Sequence, residues 1–201
     1  MEAKLDDYRD QIEEWMEKVC RDIANIYSIG HGNKTFDEFL SILQAYEITC
    51  LVDIRSYPHS KRNPHFNIDT FAAELAKVGI SYVWLKELGG FRKQGLEAKS
   101  PHVALKSQGF RNYADHMFTD VFKQGIDKLV SLRGKGRVSF MCAETLPFRC
   151  HRWLLSDYLV SNNVEVVHII DENKTMVHRL SRYATVRNGH VVYDRLEGEQ
   201  V

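Results

Sequence analysis

The sequence predicts a single α/β domain with a mainly parallel sheet flanked by helices, plus an N-terminal helix and a C-terminal hairpin. Two observations carry this prediction. Short β-branched runs alternate along the chain with segments of helical periodicity, the order that builds a parallel sheet with right-handed crossovers. The 201 residues are enough for one full core, and no shift in composition marks a second. We expect residues 1–24 to form the added helix and residues 25–201 the α/β domain.

The first 24 residues have the periodicity of an amphipathic helix. Apolar side chains recur every three or four positions, at Leu5, Tyr8, Ile12, Trp15, Val19 and Ile23, and charged side chains fill the other face. We expect this helix to pack on the side of the domain or on a second copy of the chain, which would make a homodimer.

Strands and helices then alternate in a regular order. The strands are predicted at residues 25–29, 50–54, 81–85, 137–142 and 164–170, and a hairpin at 184–193 turns at Asn188 and Gly189. Helices are predicted from Thr35 with Glu38 completing a capping box, from Asp69 as cap to Gly79, from Arg111 to near Gly134, and from near Cys150. The segment 55–67 is predicted to lack regular structure, and residues 88–110 to form an irregular surface loop.

Composition excludes several classes of protein. The 27 basic and 27 acidic side chains cancel, so a protein built to coat nucleic acid is not indicated. No apolar run approaches the roughly 20 residues that cross a bilayer, and the acidic N-terminus is not a signal peptide. Four scattered cysteines favour a reducing compartment, and we expect a cytoplasmic protein that does not engage membranes. Cys20 and Cys50 are interpreted as buried small apolar residues.

Ligands of open parallel sheets bind at the carboxyl ends of the strands. The residues at these ends are His31, Asp53, Arg55, Glu87, Cys142 and Glu144. No motif identifies a cofactor, so the cofactor stays unassigned.

The most distinctive segment is CAETLPFRCHR, residues 142–152, between the fourth strand and the following helix. A helix N-terminus favours an anion or lowers the pKa of a thiol, so phosphate binding by Arg149 and Arg152 and thiolate chemistry at Cys142 are both indicated. A metal site in which Cys142, Cys150, His151 and His31 converge is an alternative, although the spacing is not that of a usual ligand pair, and we assign no metal. The purely structural alternative buries the two thiols and pairs Glu144 with Arg149 or Arg152.

Two further segments carry polar groups at strand ends. In DIRSYPHSKR, Asp53 is either a general base or the partner that holds Arg55 in place. The basic residues that follow, interleaved with Tyr57 and Phe66, indicate a nucleic-acid contact or a solvated surface. The glycines around His31 and the pair Gly89 and Gly90 permit close approach of a ligand, but neither segment matches a nucleotide-binding motif.

The ordered set YSIGHG, LVDIRSYPHS, LGGF and MCAETLPFRCHR resembles the pattern of the domain of unknown function 488 family, over roughly residues 26–170. The resemblance implies an α/β fold and one shared cleft, but no reaction. The positions it carries over are His31, Asp53, Arg55, Pro58, Ser60, Gly89, Gly90, Cys142, Glu144, Cys150, His151 and Arg152.

We expect an enzyme that acts on a nucleotide or nucleic acid, a hydrolase that cleaves the glycosidic bond of a modified or damaged base. In this hypothesis Asp53 or Glu144 is the general base and His31 or His151 protonates the leaving group. Substrate would be held by Arg55, Tyr57, Ser60, Gly89, Gly90, Arg149 and Arg152, with Phe66 or Phe91 as further stacking rings. The alternatives are a thiol enzyme that uses Cys142 and a metal-binding module without activity.

Overall fold

The computed structural model describes residues 25–195, so the helix predicted for residues 1–24, with Cys20, lies outside the described residues. Six strands form one sheet in the order β3–β2–β4–β1–β5–β6, and two more form a separate hairpin. The strands are β1 (Ile26–Gly30), β2 (Cys50–Asp53), β3 (Ser81–Trp84), β4 (Val138–Cys142), β5 (Val166–Asp171), β6 (Lys174–Val177), β7 (Ala184–Arg187) and β8 (His190–Tyr193). The first five run parallel and β6 is antiparallel, which confirms the predicted fold class.

Helices cover both faces of the sheet. They are α1 (Phe36–Ala45), α2 (Ile68–Lys77), α3 (Gln108–His116), α4 (Asp120–Ser131) and α5 (Arg152–Ser161). On one face Phe39 of α1 and Phe71 of α2 pack on Leu51 in a core of their own. On the other face α3, α4 and α5 pack on β4 around the buried Phe140. Burial on both faces explains why the central strands are continuous apolar runs.

The strand order brings three carboxyl ends together. β4 lies between β2 and β1, with Asp53 paired to Met141 and Gly30 paired to Cys142. The segments that leave β1, β2 and β4 therefore meet at one edge of the sheet. All three predicted polar segments begin at this edge.

Local signals in the sequence account for several boundaries. The capping box of Thr35 and Glu38 is present. Gly79 follows the C-terminal end of α2 and has a φ of 80°, in the left-handed region. The hairpin turn places Asn188 and Gly189 at φ 50° and 77°, the left-handed pair that a two-residue turn requires. Cys50 is buried as predicted, with 4% of its surface exposed.

Other boundaries were predicted wrongly. Asn67, not Asp69, precedes α2, and the segment 55–67 contains a short 3₁₀ turn, Pro64–Phe66. The helix predicted from Arg111 is two helices, because the Thr119 hydroxyl accepts from the Phe122 amide and starts α4 anew. Strand β6 was not predicted.

Within residues 25–195, no helix combines the length and apolar character that spanning a bilayer requires.

Candidate active-site cleft

A cleft with two lobes opens at the edge where β1, β2 and β4 end. One lobe, of about 530 Å³, is lined by His31, Arg55, His59, Ser60 and Arg62 among others, and we call it the cationic lobe. The other, of about 400 Å³, is lined by three aromatic rings, two thiols and an imidazole and is called the aromatic lobe; these residues are Tyr57, Phe91, Phe110, Cys142, Cys150 and His151. Both lobes share Arg55, Tyr57, Ala143 and Glu144. Most of the predicted site residues thus line these two adjoining lobes, whereas Asp53, Gly89 and Arg152 line neither.

Asp53 is fully buried and holds Arg55. Both carboxylate oxygens accept from Arg55 Nε, at 3.0 and 2.9 Å, and Oδ2 also accepts from Arg55 Nη2 at 2.5 Å. The Tyr82 hydroxyl donates to the same Oδ2 at 2.5 Å, and burial together with the nearby Asp53 charge raises the pKa of Tyr82. Asp53 lines neither lobe. Its geometry is that of the ion-pair alternative.

His31 is a neutral, fixed imidazole. Nδ1 lies 2.9 Å from the Gly32 carbonyl and donates to it, which leaves Nε2 to accept from Arg55 Nη1 at 3.5 Å. The ring stacks on Phe66 with centroids 4.3 Å apart. Burial, opposed by the bond to Gly32, lowers the pKa of His31 to about 4, so the ring is neutral at neutral pH and its single N–H proton is the one held by the Gly32 carbonyl.

The glycines of the motifs let the strand-end loops approach each other. A Cβ on Gly30 would lie 1.8 Å from the Glu144 carbonyl oxygen, and one on Gly90 would lie 2.3 Å from His151 Nδ1. A Cβ on Gly89 would meet Ser56 Oγ at 2.6 Å. These glycines are therefore required by packing between the loops, and the ligand-approach role predicted for Gly89 and Gly90 stays a prediction.

The two thiols and the imidazole of the aromatic lobe lie in mutual contact. Cys142 Sγ and Cys150 Sγ are 2.6 Å apart, and Cys150 Sγ is 3.4 Å from His151 Nδ1. His151 Nε2 donates to the Ile54 carbonyl at 3.1 Å, which turns Nδ1 toward the sulfurs. The bond with Cys150 and burial raise the pKa of the Cys142 thiol.

Cys150 has the opposite character. Burial opposes its ionisation, but the bond from Cys142 and the charge and backbone amide of Arg152 outweigh burial and lower its pKa to about 7. The Arg152 amide, in the first turn of α5, approaches the sulfur at 3.5 Å. The position at a helix N-terminus is one that stabilises a thiolate. Of the two thiols Cys150 thus has the lowered pKa, and the nucleophilic role predicted for Cys142 stays a prediction.

Arg152 holds the backbone of the CAETLPFRCHR segment in place through hydrogen bonds from its buried guanidinium. Its side chain is fully buried, and Nη2 donates to the carbonyl oxygens of Glu144 at 2.6 Å and Thr145 at 3.3 Å. Arg152 therefore contacts the backbone carbonyl of Glu144. Glu144 is an exposed residue that lines both lobes.

A buried chain of hydrogen bonds runs from Arg152 to Asp157, and we call it the Arg152–Asp157 chain. Arg152 Nη1 donates to Ser28 Oγ at 3.3 Å, and Ser28 Oγ lies 2.6 Å from His168 Nδ1. His168 Nε2 is 2.9 Å from His178 Nδ1, and His178 Nε2 is 2.9 Å from Asp157 Oδ1. Arginine only donates and carboxylate only accepts, so with both histidines neutral every bond in the chain points toward Asp157.

The remaining predicted residues lie on the walls of the cleft. Ser60 lines the cationic lobe, where its hydroxyl accepts from the Asn63 amide at 3.1 Å and so shapes the turn that carries Arg62. Arg149 is exposed and lines the aromatic lobe, not the cationic one. Tyr57 and Phe91 are 69% and 57% exposed, with ring centroids 6.1 Å apart.

Sequence reasoning missed the residues behind the cleft. Asp157 and His168 sit inside apolar runs, LLSDYL and VVHII, and a polar residue in such a run signals a buried partner. Tyr82 gave no such signal, since a tyrosine in an edge strand is commonplace.

A family model described as Domain of unknown function DUF488 matches residues 35–159, most of the chain, which confirms the resemblance carried by the motifs. The YSIGHG segment precedes the matched range. No curated protein and no solved structure matches the chain.

Proposed function

The chain belongs to the DUF488 family, and we propose that it is an enzyme acting on a nucleotide or nucleic acid, with one nucleotide unit held across the two lobes. The observation that supports the proposal is the order of groups along the cleft. The cationic lobe and the aromatic lobe adjoin, and Glu144 lines both and so lies at their junction. A nucleotide presents phosphate, sugar and base in the same order.

The proposed reaction is hydrolysis of the glycosidic bond of a modified or damaged base. A phosphate in the cationic lobe and a base stacked at Tyr57 and Phe91 place the sugar beside Glu144, the junction residue. A carboxylate there stabilises positive charge on the sugar or takes a proton from the attacking water. Asp53 is unsuited to this role because both of its oxygens are engaged.

The leaving base needs a proton. Of the two candidate histidines, His31 is held neutral, and His151 lines the aromatic lobe in which the base would lie. We assign His151 the role of acid, with the donated proton on Nδ1 because Nε2 is bonded to the Ile54 carbonyl, and Arg55 and Arg62 the role of phosphate contacts. Arg149 would contact the base side of the ligand or a flanking phosphate.

The free thiols of Cys50, Cys142 and Cys150 agree with a reducing compartment, and we place the protein in the cytoplasm.

Binding tests the proposal before any substrate is known. We expect purified protein to bind nucleoside monophosphates in calorimetry and labelled DNA or RNA oligonucleotides in fluorescence anisotropy at low salt. Arg62→Ala should weaken binding about tenfold by removing a charge-assisted phosphate contact. Lys61→Ala is the matched control, since Lys61 is exposed and lines neither lobe, and it should change monophosphate affinity less than about twofold. Equal losses for both variants, or no binding by the wild type, would refute the proposal.

Catalysis needs a second readout. Oligonucleotides that carry modified or damaged bases are incubated with protein, and free base is measured by liquid chromatography and mass spectrometry. Glu144→Gln should keep binding and lose base release, because it removes the carboxylate charge while preserving shape. Base release that survives in Glu144→Gln would remove Glu144 from the mechanism.

A further inference from the structure

The Cys142 and Cys150 sulfurs lie closer than two unbonded thiols normally do. Their separation of 2.6 Å is only about half an ångström longer than an S–S bond of roughly 2.05 Å. Tetrahedral zinc with bonds of about 2.3 Å would hold two sulfur ligands roughly 3.7 Å apart. The two sulfurs are thus close enough for a disulfide to form between them with little movement of the backbone, and Cys142, Cys150 and His151 are also a set that could ligate a metal ion.

We propose that Cys142 and Cys150 form a redox-active dithiol, which a small disulfide such as oxidised glutathione converts reversibly to an intramolecular disulfide. This activity does not require the glycosidic reaction proposed above, although both use His151 and the aromatic lobe. Both cysteines are buried, with 5% and 3% of their surface exposed, but both line the aromatic lobe, through which a small disulfide would approach them.

The two cysteines have different roles. The Cys150 thiolate, supported by the Arg152 amide, attacks one sulfur of the small disulfide; a mixed disulfide forms and one small thiolate leaves. Cys142 then loses its proton to His151, whose Nδ1 lies 3.4 Å from the Cys150 sulfur, and the new thiolate attacks Cys150 Sγ. The second small thiolate leaves. Two protein thiols are oxidised by two electrons, and one small disulfide is reduced to two thiols.

The surroundings match this division of roles. The pKa of Cys150, about 7, gives a substantial thiolate fraction at neutral pH, whereas the raised pKa of Cys142 keeps it protonated until the second step. The bond between His151 Nε2 and the Ile54 carbonyl orients the ring so that Nδ1 faces the sulfurs and can exchange a proton with them. Cys50 offers an internal comparison, as it lies at the start of β2, whereas Cys142 ends β4.

Trypsin separates the two cysteines, which makes the link easy to detect. Cleavage after Arg137, Arg149 and Arg152 puts Cys142 and Cys150 on different peptides, 138–149 and 150–152. Reduced full-length protein is treated with oxidised glutathione, alkylated and digested. We expect the two peptides to be joined, dithiothreitol to separate them, and the Cys50 peptide to remain alkylated.

Single variants test the order of attack. Cys142→Ser should stop at the mixed disulfide and accumulate one glutathione on Cys150. Cys150→Ser should acquire glutathione on Cys142 at least about tenfold more slowly. Melting curves of both variants check that they fold, and the wild-type experiment does not depend on them.

Three results would overturn the proposal. The first is the absence of a joined peptide in the wild type, and the second is faster modification of Cys142 than of Cys150. The third is stoichiometric zinc in protein purified without a metal-affinity tag, with both thiols protected until the zinc is chelated. None of these readouts involves nucleotide binding, so failure here leaves the proposed function to its own test.

Discussion

Replacing Asp157 by Asn is expected to lower the free energy of unfolding by about 3–5 kcal/mol, because it leaves buried donors facing an amide. The carboxylate accepts from His178 Nε2 at 2.9 Å and from the Tyr193 hydroxyl at 2.8 Å. It also accepts from the Ser181 amide and hydroxyl, each at 2.7 Å. The substitution preserves volume, so the loss measures hydrogen bonding and charge, not a cavity.

The effect should extend to the cleft. Asp157 ends the Arg152–Asp157 chain, whose other end holds the Glu144 carbonyl. Urea unfolding at neutral pH, followed by circular dichroism, measures the stability. Asp127→Asn on α4 is the control: Asp127 is exposed, and we expect a change within about 0.5 kcal/mol. A loss for Asp157→Asn no larger than that of the control would show that the chain contributes little.

The sheet could be predicted from the sequence because its signals are local. Continuous β-branched runs mark the buried parallel strands, and the left-handed turn at Asn188 and Gly189 marks the hairpin. Strand β6 gave no such signal, since Lys174–Val177 is largely exposed and becomes a strand only through pairing with β5. The boundary at Thr119 was missed because apolar spacing continues across it.

The location of the site followed from topology, whereas the state of each side chain did not. Strand ends of a parallel sheet share one edge, so His31, Asp53 and Cys142 could be grouped before the structure was known. That Asp53 is saturated depends on Tyr82, which reaches it from β3. That Cys150 carries the lowered pKa depends on the loop that brings it to Cys142 and on the amide of Arg152. These contacts join segments that are distant in the sequence, so the spacing of residues along the chain does not predict them.

Stability is also expected to fall steeply as the pH drops from about 6.5 toward about 4. Burial lowers the pKa of His31 to about 4, and burial with the neighbouring His178 and Arg152 lowers that of His168 to about 3. The unfolded chain takes up these protons near pH 6.5, whereas the folded protein does not. Unfolding is therefore favoured by up to about 1.4 kcal/mol per pH unit for each histidine.

The pH range over which stability falls distinguishes the histidines from Glu38, Glu87 and Cys150. Glu38 and Glu87 have lowered pKa values, so their contribution is lost only below about pH 4.5, and Cys150 changes its charge above the window. Urea unfolding between about pH 6.5 and about pH 4.5 measures the slope.

Histidine variants identify the source of that slope. His168→Gln should be less stable at neutral pH yet show a shallower dependence, because a residue that does not titrate replaces one whose pKa shifts on folding. His190→Gln, at an exposed position of β8, should keep the wild-type slope. A stability curve that stays flat between about pH 6.5 and about pH 4.5 would mean that His31 and His168 accept protons in the folded protein. In that case the one-directional hydrogen bonding of the Arg152–Asp157 chain would be wrong, since a protonated His168 has no lone pair to accept from Ser28.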